Sequence, residues 1–279
     1  MARAFPPSPS VTRSLREDAA VKRVFPLLAA AAALAGCSGD DESATTMRTT
    51  PPAPKRTSTF LVYLLRDGKV AAARRTVEHT GAVEAAAVRA LIGGPTPAEA
   101  KAGLATGIPT DARLGSLSVV NGSARIALVL PDANEDEPSG RWAVAQVVYT
   151  LTQFSRVRGV VFGDTRVPGH GLTRADVEEL APAILVESPV VGDNVLNPVH
   201  VAGTANTFEA TVQLRLEAGG KKLAERFVTA TSGNGTRGRF EATIAAPAGI
   251  SGPVTLVAYE RSAATGQPVN VVRIPIRVQ

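Results

Sequence analysis

The sequence contains one cysteine, three histidines and only 4% aromatic residues, and these shortages exclude several classes of protein. The single thiol, Cys37, excludes an internal disulfide framework and any cysteine-rich zinc site, so whatever folds here does so by packing alone. The histidines, His79, His170 and His200, lie far apart and lack a partner at the spacing of metal ligands. We therefore expect surface or loop histidines, no metal site and no cofactor.

Two motifs associated with enzymes do not have the context that those enzymes need. Residues 233–238, GNGTRG, fit a glycine pattern of dinucleotide-binding proteins, but that pattern must follow a strand and begin a helix. Here it joins two predicted strands, so we interpret it as a glycine-rich hairpin loop. A nucleophilic site would need Asp164 and His170 beside a distant serine, and the sequence has no G-x-S-x-G motif.

The N-terminal region has the order of a secretory signal. Residues 22–37, KRVFPLLAAAAALAGC, place two cations before an apolar run that is too short for a comfortable membrane-spanning helix. The last four residues, LAGC, resemble the lipobox of bacterial lipoproteins. This resemblance implies diacylglycerol transfer to the sulfur of Cys37 and cleavage before it. The alternative is a buried cysteine that follows an ordinary signal peptide.

Processing at Cys37 would change the charge and the location of the protein. The signal peptide would comprise residues 1–36, with Val21 as an alternative start, and its five cations and two acids account for most of the formal charge. Removing it lowers the net charge from +5 to +2, which does not favour binding to nucleic acid. We expect a lipid anchor on the extracytoplasmic face of the cell membrane. Residues 37–58, rich in Ser, Thr and Pro, predict a flexible linker behind the lipidated cysteine.

Residues 59–170 predict an α+β domain in which helices cover one face of a mainly antiparallel sheet. Two hairpin turns are indicated by Asp67-Gly68 and Asn121-Gly122. Apolar residues at helical spacing predict the helices, and alternating or continuous apolar runs predict the strands. The predicted strands are 59–65, 70–78, 114–120, 123–130 and 157–163, and the predicted helices are 82–92, 97–101 and 141–154.

Residues 184–279 predict a second, all-β domain, joined to the first by a connector over 171–183. Val212, Leu214 and Leu216 alternate with polar residues, and further strand-like segments follow at near-even intervals. About seven strands over ~95 residues are typical of an immunoglobulin-like sandwich, here without an inter-sheet disulfide.

Both regions contain short motifs of known bacterial domains. The first region has LIGGPT (91–96), GLATGIP (103–109), the Asn121-Gly122 hairpin and AQVVYTLTQF (145–154). With these motifs it resembles the sporulation and spore germination domain called GerMN. The second region has SP (188–189), NPVHVAG (197–203), ANTFE (205–209) and AYE (258–260). With these it resembles the Gmad-type immunoglobulin-like domain of bacterial spore germination, which often follows GerMN domains. The resemblance implies a role in sporulation, germination or related cell-wall processes.

Two surfaces could meet a partner. The last predicted helix of the first domain carries Trp142, Gln146 and Gln153 at helical spacing, which indicates either an ordinary solvent face or a partner-binding surface. The acidic loop over 132–137 allows the same two interpretations.

Two functions follow from these features. The preferred one is a non-enzymatic lipoprotein, anchored through Cys37, that binds or scaffolds an envelope or cell-wall protein. The alternative is a ligand-binding or hydrolytic envelope enzyme acting on cell-wall glycan. Glycosidases need two carboxylates at a fixed separation, and the candidates are Asp132, Glu135, Asp136 and Glu137.

Overall fold

The structure, a computed structural model, describes residues 56–129, 138–163 and 171–279, all within one compact unit. The expected signal peptide, Cys37 and most of the linker lie outside these ranges, as do the acidic loop, Asp164 and His170. None of the described helices has the length and apolar character that crossing a bilayer requires.

The first domain contains five strands and three helices in the described ranges. They are β1 (Thr57–Arg66), β2 (Lys69–Glu78), α1 (Val83–Ile92), α2 (Pro97–Lys101), β3 (Arg113–Val120), β4 (Ser123–Val129), α3 (Pro138–Leu151) and β5 (Gly159–Phe162). Both predicted turns are present, with positive φ at Asp67 and Gly68 and at Asn121 and Gly122. Positive φ at both central residues is what the tightest hairpin turns need.

The first domain differs from the prediction in having two sheets. Strands β1 and β2 form an antiparallel pair, whereas β3, β4 and β5 form a second sheet in that order. Strand β5 runs parallel to β4 because α3 connects them, and a strand–helix–strand crossover returns the chain in the same direction. The α+β class is nevertheless confirmed. The polypeptide then forms a 3₁₀ segment over Arg174–Leu180 within the predicted connector.

The second domain is the expected sandwich of two sheets. Its strands are β6 (Ile184–Ser188), β7 (Asn194–Val195), β8 (Val199–Ala205), β9 (Thr211–Ala218), β10 (Lys221–Thr229), β11 (Gly238–Ile244), β12 (Gly252–Arg261) and β13 (Pro268–Val278). One sheet has the order β10-β9-β12-β13-β7 and the other β11-β8-β6. Val212, Leu214 and Leu216 are fully buried between the sheets, as their alternation predicts.

Strand β6 belongs to the hydrophobic cores of both domains. Successive strand side chains point to opposite faces, so Ile184 and Val186 pack in the core of the second domain while Leu185, 2% exposed, packs in that of the first. Val190, just after β6, also joins the first core. Burial of a leucine side chain contributes about 1.5–3 kcal/mol. The domains are therefore joined by shared packing as well as by the chain.

Candidate functional site

The predicted partner surface on α3 faces a strand and not the solvent. Gln146 is 0% exposed, so the prediction of a partner-binding surface is wrong for this residue. Gln153 is half-buried, and its amide is bonded to the backbone of β1. Trp142 is half-buried beside the β1–β2 turn, where a Cβ placed at Gly68 would lie 3.7 Å from the indole. A partner contact at Trp142 stays a prediction.

Side chains of α3, and of Gln153 just beyond its end, complete the hydrogen bonding of the outer edge of β1. The side-chain oxygen of Gln153 accepts from the Leu61 N–H at 2.7 Å, and its amide nitrogen donates to the Leu61 carbonyl at 2.6 Å. One turn earlier, the Thr150 hydroxyl accepts from the Tyr63 N–H at 3.0 Å, and Gln146 donates to the Tyr63 carbonyl at 2.9 Å. These three side chains therefore take the place of a neighbouring strand.

A cluster of buried and half-buried polar groups lies where the two domains meet. The Tyr63 hydroxyl donates to the carboxylate of Glu187, and Arg174 donates to the same Glu187 oxygen at 3.0 Å and to the Tyr63 hydroxyl at 3.0 Å. Arg174 also donates to the Tyr149 carbonyl at 3.2 Å. Its guanidinium lies 4.7 Å from the Tyr149 ring centroid and 5.1 Å from that of Tyr63, within cation–π distance.

Burial and the contacts within this cluster shift the pKa values of its members. It raises the pKa of Tyr63 well above its ordinary value, and it raises the pKa of Tyr149 to about 12. For Arg174, burial alone would lower the pKa, but contacts with Tyr63 and Glu187 outweigh it and raise the pKa. These shifts reinforce the states that the groups have in water at neutral pH, neutral for the tyrosines and charged for Arg174. The Tyr149 hydroxyl is buried without a hydrogen-bond partner among the described residues.

The glycine-rich loop over 233–238 joins β10 to β11, and it holds an arginine across the junction. Arg237 donates from Nε to the Glu178 carboxylate at 2.9 Å and from Nη2 to the Pro182 carbonyl at 2.7 Å. A Cβ at Gly233 would lie 2.6 Å from the Thr207 carbonyl oxygen, and one at Gly238 would lie 2.3 Å from the Ser232 nitrogen. These glycines are thus needed for close backbone approach and not for a phosphate group.

These groups line a polar groove of about 1140 Å³ between the domains. Tyr63 contributes from the first domain and Arg174 from the connector, whereas Glu187, Arg237 and Arg239 contribute from the second domain. Arg174 and Arg237 are each paired with a glutamate, whereas Arg239 is exposed and forms no ion pair with another described residue. The groove offers hydrogen-bonding groups, paired charges and one accessible cation, which suits a polar ligand or a polar protein segment.

The groups that sequence reasoning considered for catalysis do not form a site in the described ranges. His79 contacts the Ser58 hydroxyl at 3.1 Å and His200 contacts the Glu241 carboxylate at 2.7 Å, and both are exposed. No group of three or more metal-ligating side chains is close enough to bind a metal among these residues. The candidate glycosidase acids over 132–137 lie outside the structure's described part.

Sequence reasoning missed Tyr63, Arg174 and Glu187. They come from β1, the 3₁₀ segment and β6, and up to 124 residues separate them. No local spacing relates such positions. The one signal in the sequence is an arginine in a connector that also contains apolar residues such as Val177, which the structure shows to be buried.

The two domains match two families. Residues 61–163 match the family described as sporulation and spore germination, and residues 183–267 match the immunoglobulin-like domain of bacterial spore germination. No curated protein matches the sequence.

Solved structures give weaker likenesses. The first GerMN domain of the sporulation protein GerM from Bacillus subtilis is 19% identical, with a TM-score of 0.34, and the match covers 42% of this chain and 92% of that one. The tandem GerMN domains of the same protein are 16% identical, with a TM-score of 0.35, and the match covers 80% of this chain and 62% of theirs. Scores this low carry no functional argument.

Proposed function

We propose that this chain, which joins a sporulation and spore germination domain to an immunoglobulin-like domain of bacterial spore germination, is a non-enzymatic envelope lipoprotein that binds another envelope component. Both matched families belong to sporulation and germination, so the role of the chain lies in that area. The finer parts of the proposal are the anchor, the absence of catalysis and the binding role.

The observation that carries the binding role is the fixed junction of the two domains. Leu185 packs in the first core from a strand of the second domain, and Arg174, Arg237 and Arg74 add polar contacts across the junction. The Arg74 guanidinium, for example, lies 3.0 Å from the Asp193 carboxylate. A junction of this kind holds the walls of the polar groove in one geometry, and a preorganised site loses less entropy when it binds.

The anchor is proposed from the lipobox-like sequence that ends at Cys37. Metabolic labelling with an alkyne fatty acid, comparing wild type with Cys37→Ala, tests it directly. We expect label and membrane fractionation in the wild type and loss of both in the variant. Retention of both in the variant would rule out this anchor.

The binding role is tested by site-specific photocrosslinking in intact cells. A photoreactive residue replaces Thr231, an exposed residue of the groove wall, and in a matched control it replaces Lys221, which is exposed and lies outside the groove. We expect an adduct with one envelope protein from position 231 and none from position 221. The same adducts from both positions, or none from 231, would contradict a partner in the groove.

Catalysis is tested on purified cell wall. We expect no soluble fragments to be released by the purified protein beyond a heat-treated sample. Time-dependent release of glycan fragments would replace this proposal with the hydrolytic alternative.

A further inference from the structure

A second cavity, of about 450 Å³, lies between the β1–β2 hairpin and the second domain. Its walls are mainly aliphatic and include Val70, Ala72, Leu104, Leu185, Val272 and Ile274. It shares no lining residue with the polar groove. Its size falls within the ~300–1,000 Å³ of sites for small molecules, which are typically apolar with a few polar groups that fix orientation.

The polar groups of this cavity are concentrated in the β1–β2 turn. They are Arg66, Asp67 and Lys69, with Asn270 from β13. The two cations outnumber the single acid. The remaining wall contains no aromatic side chain that would stack on a planar ring.

Arg66 is a half-buried cation whose partners are backbone carbonyls. It donates to the Arg273 carbonyl at 2.9 Å and to the Ala102 carbonyl at 3.2 Å, and no described carboxylate lies within ion-pair distance of it. Burial lowers its pKa, and the nearby Asp67 acts in the opposite direction. A charge that has lost solvent without gaining an ion pair favours binding of an anion. Lys69 likewise donates to a carbonyl, that of Glu179.

We propose that this cavity binds a free, single-chain anionic amphiphile, with its alkyl chain against the aliphatic walls and its carboxylate at Arg66. An aliphatic, non-aromatic cavity accommodates a flexible chain because it imposes no planar shape on the ligand. A guanidinium is suited to a carboxylate because its N–H groups match the two oxygens. This proposal does not depend on the polar groove or on its partner.

The test measures binding of monomeric dodecanoate to the purified protein by displacement of a fluorescent fatty acid and by calorimetry. Dodecan-1-ol has the same chain without the charge, and acetate has the charge without the chain. We expect saturable binding of one dodecanoate, about tenfold or more weaker binding of the alcohol, and no measurable binding of acetate, since charge-assisted hydrogen bonds are the stronger ones. Absence of saturable dodecanoate binding would overturn the proposal.

Variants separate the contributions of head group and chain. Arg66→Gln is expected to weaken dodecanoate binding about tenfold or more while leaving the alcohol unchanged, because only the charged contact is lost. Ala183→Phe, which places a large side chain in the cavity lining, is expected to abolish binding of both ligands. Lys221→Gln removes an exposed cation outside the cavity and is expected to change neither. Equal dodecanoate binding by wild type and Arg66→Gln would overturn the role of Arg66.

A further variant and a vesicle-binding measurement complete the test. Arg66 donates to one carbonyl in each domain, and Arg66→Gln loses these charged hydrogen bonds. If Arg66→Gln does not fold for this reason, Arg66→Lys retains the positive charge, and we expect it to bind dodecanoate. Co-sedimentation with vesicles of dioleoylphosphatidylglycerol distinguishes a membrane surface from a free ligand. Binding to vesicles without uptake of monomeric dodecanoate would overturn the proposal.

Discussion

The replacement of Gln146 by methionine tests whether the α3 side chains stabilise the edge of β1. Methionine has a similar volume, so the packing loss is small. The variant loses the donor to the Tyr63 carbonyl and the acceptor of the Gly107 N–H, which lies 2.8 Å from the Gln146 side-chain oxygen. Tyr63 is buried, so its carbonyl would stay unpaired at a cost of about 1–3 kcal/mol, whereas the half-exposed Gly107 loses about 0.5–1.5 kcal/mol.

The expected loss in the free energy of unfolding is therefore about 1.5–4.5 kcal/mol. For a unit of this size each kcal/mol lowers the melting temperature by about 2–4 °C, so calorimetry should show a fall of about 3–18 °C. Gln267→Met is the matched control, because Gln267 is exposed, and its melting temperature should match that of the wild type within about 1–2 °C. A Gln146→Met protein that melts with this control would refute the structural role of the amide.

A charged analogue sharpens this test. In Gln146→Glu, the protonated acid can still donate to the Tyr63 carbonyl, but the carboxylate cannot, so folding raises the pKa of the new group. Its protonated form stabilises the fold below the unfolded pKa of about 4.3, and this contribution is lost as pH rises through the higher folded value. We expect the gap to wild type to widen from pH 4 to pH 7. A gap independent of pH would contradict the proposed geometry.

Three other substitutions probe the junction and the ionisable groups. Leu185→Ala should lower the free energy of unfolding by about 2–5 kcal/mol and still give one transition, because Leu185 joins the two cores, and a second transition would contradict the shared core. Tyr149→Phe should leave the free energy of unfolding at pH 7 unchanged or higher, since the Tyr149 hydroxyl has no described partner. The variant should also lose less stability than wild type between pH 10 and about 12, where only the unfolded tyrosine ionises, and an unchanged alkaline loss would contradict burial as its cause. Glu84→Gln should reduce the free energy of unfolding at pH 7, because the hydrogen bond from Arg156 lowers the pKa of Glu84 and so stabilises the folded protein, an effect lost as pH falls below about 4.3. Denaturant titrations should therefore show a weaker acid dependence in the variant, and an acid dependence equal to that of wild type would contradict this pairing.

Local features of the fold could be predicted from the sequence and long-range pairings could not. Asp67-Gly68 and Asn121-Gly122 specify their turns through the backbone conformations of two adjacent residues. The parallel pairing of β5 with β4 depends on where α3 lies, and no residue of β5 encodes it. Similarly, periodicity shows that α3 has a polar stripe but not what the stripe meets. The sequence therefore indicates a solvent face or a partner-binding surface at Gln146, because the edge of β1 is distant in sequence.

The polar junction could not be predicted for the same reason. The segment 171–183 lacks clear periodicity and predicts a connector, yet it supplies Arg174 to the cluster with Tyr63 and Glu187. The sequence predicts that 233–238 links two strands, and the structure confirms it. The contact of Arg237 with Glu178, however, depends on a domain interface that composition does not reveal.

The amides that cover β1 have a consequence for aggregation. Residues 60–65, FLVYLL, are uncharged, apolar and rich in residues that favour strands, which is the composition of segments that assemble into cross-β fibrils. A bare strand edge at this position would recruit the same segment of another molecule. Gln146, Thr150 and Gln153 occupy the bonds that such a neighbour would use. Damage to α3 should therefore cause the molecule to self-associate before it has lost the rest of its structure.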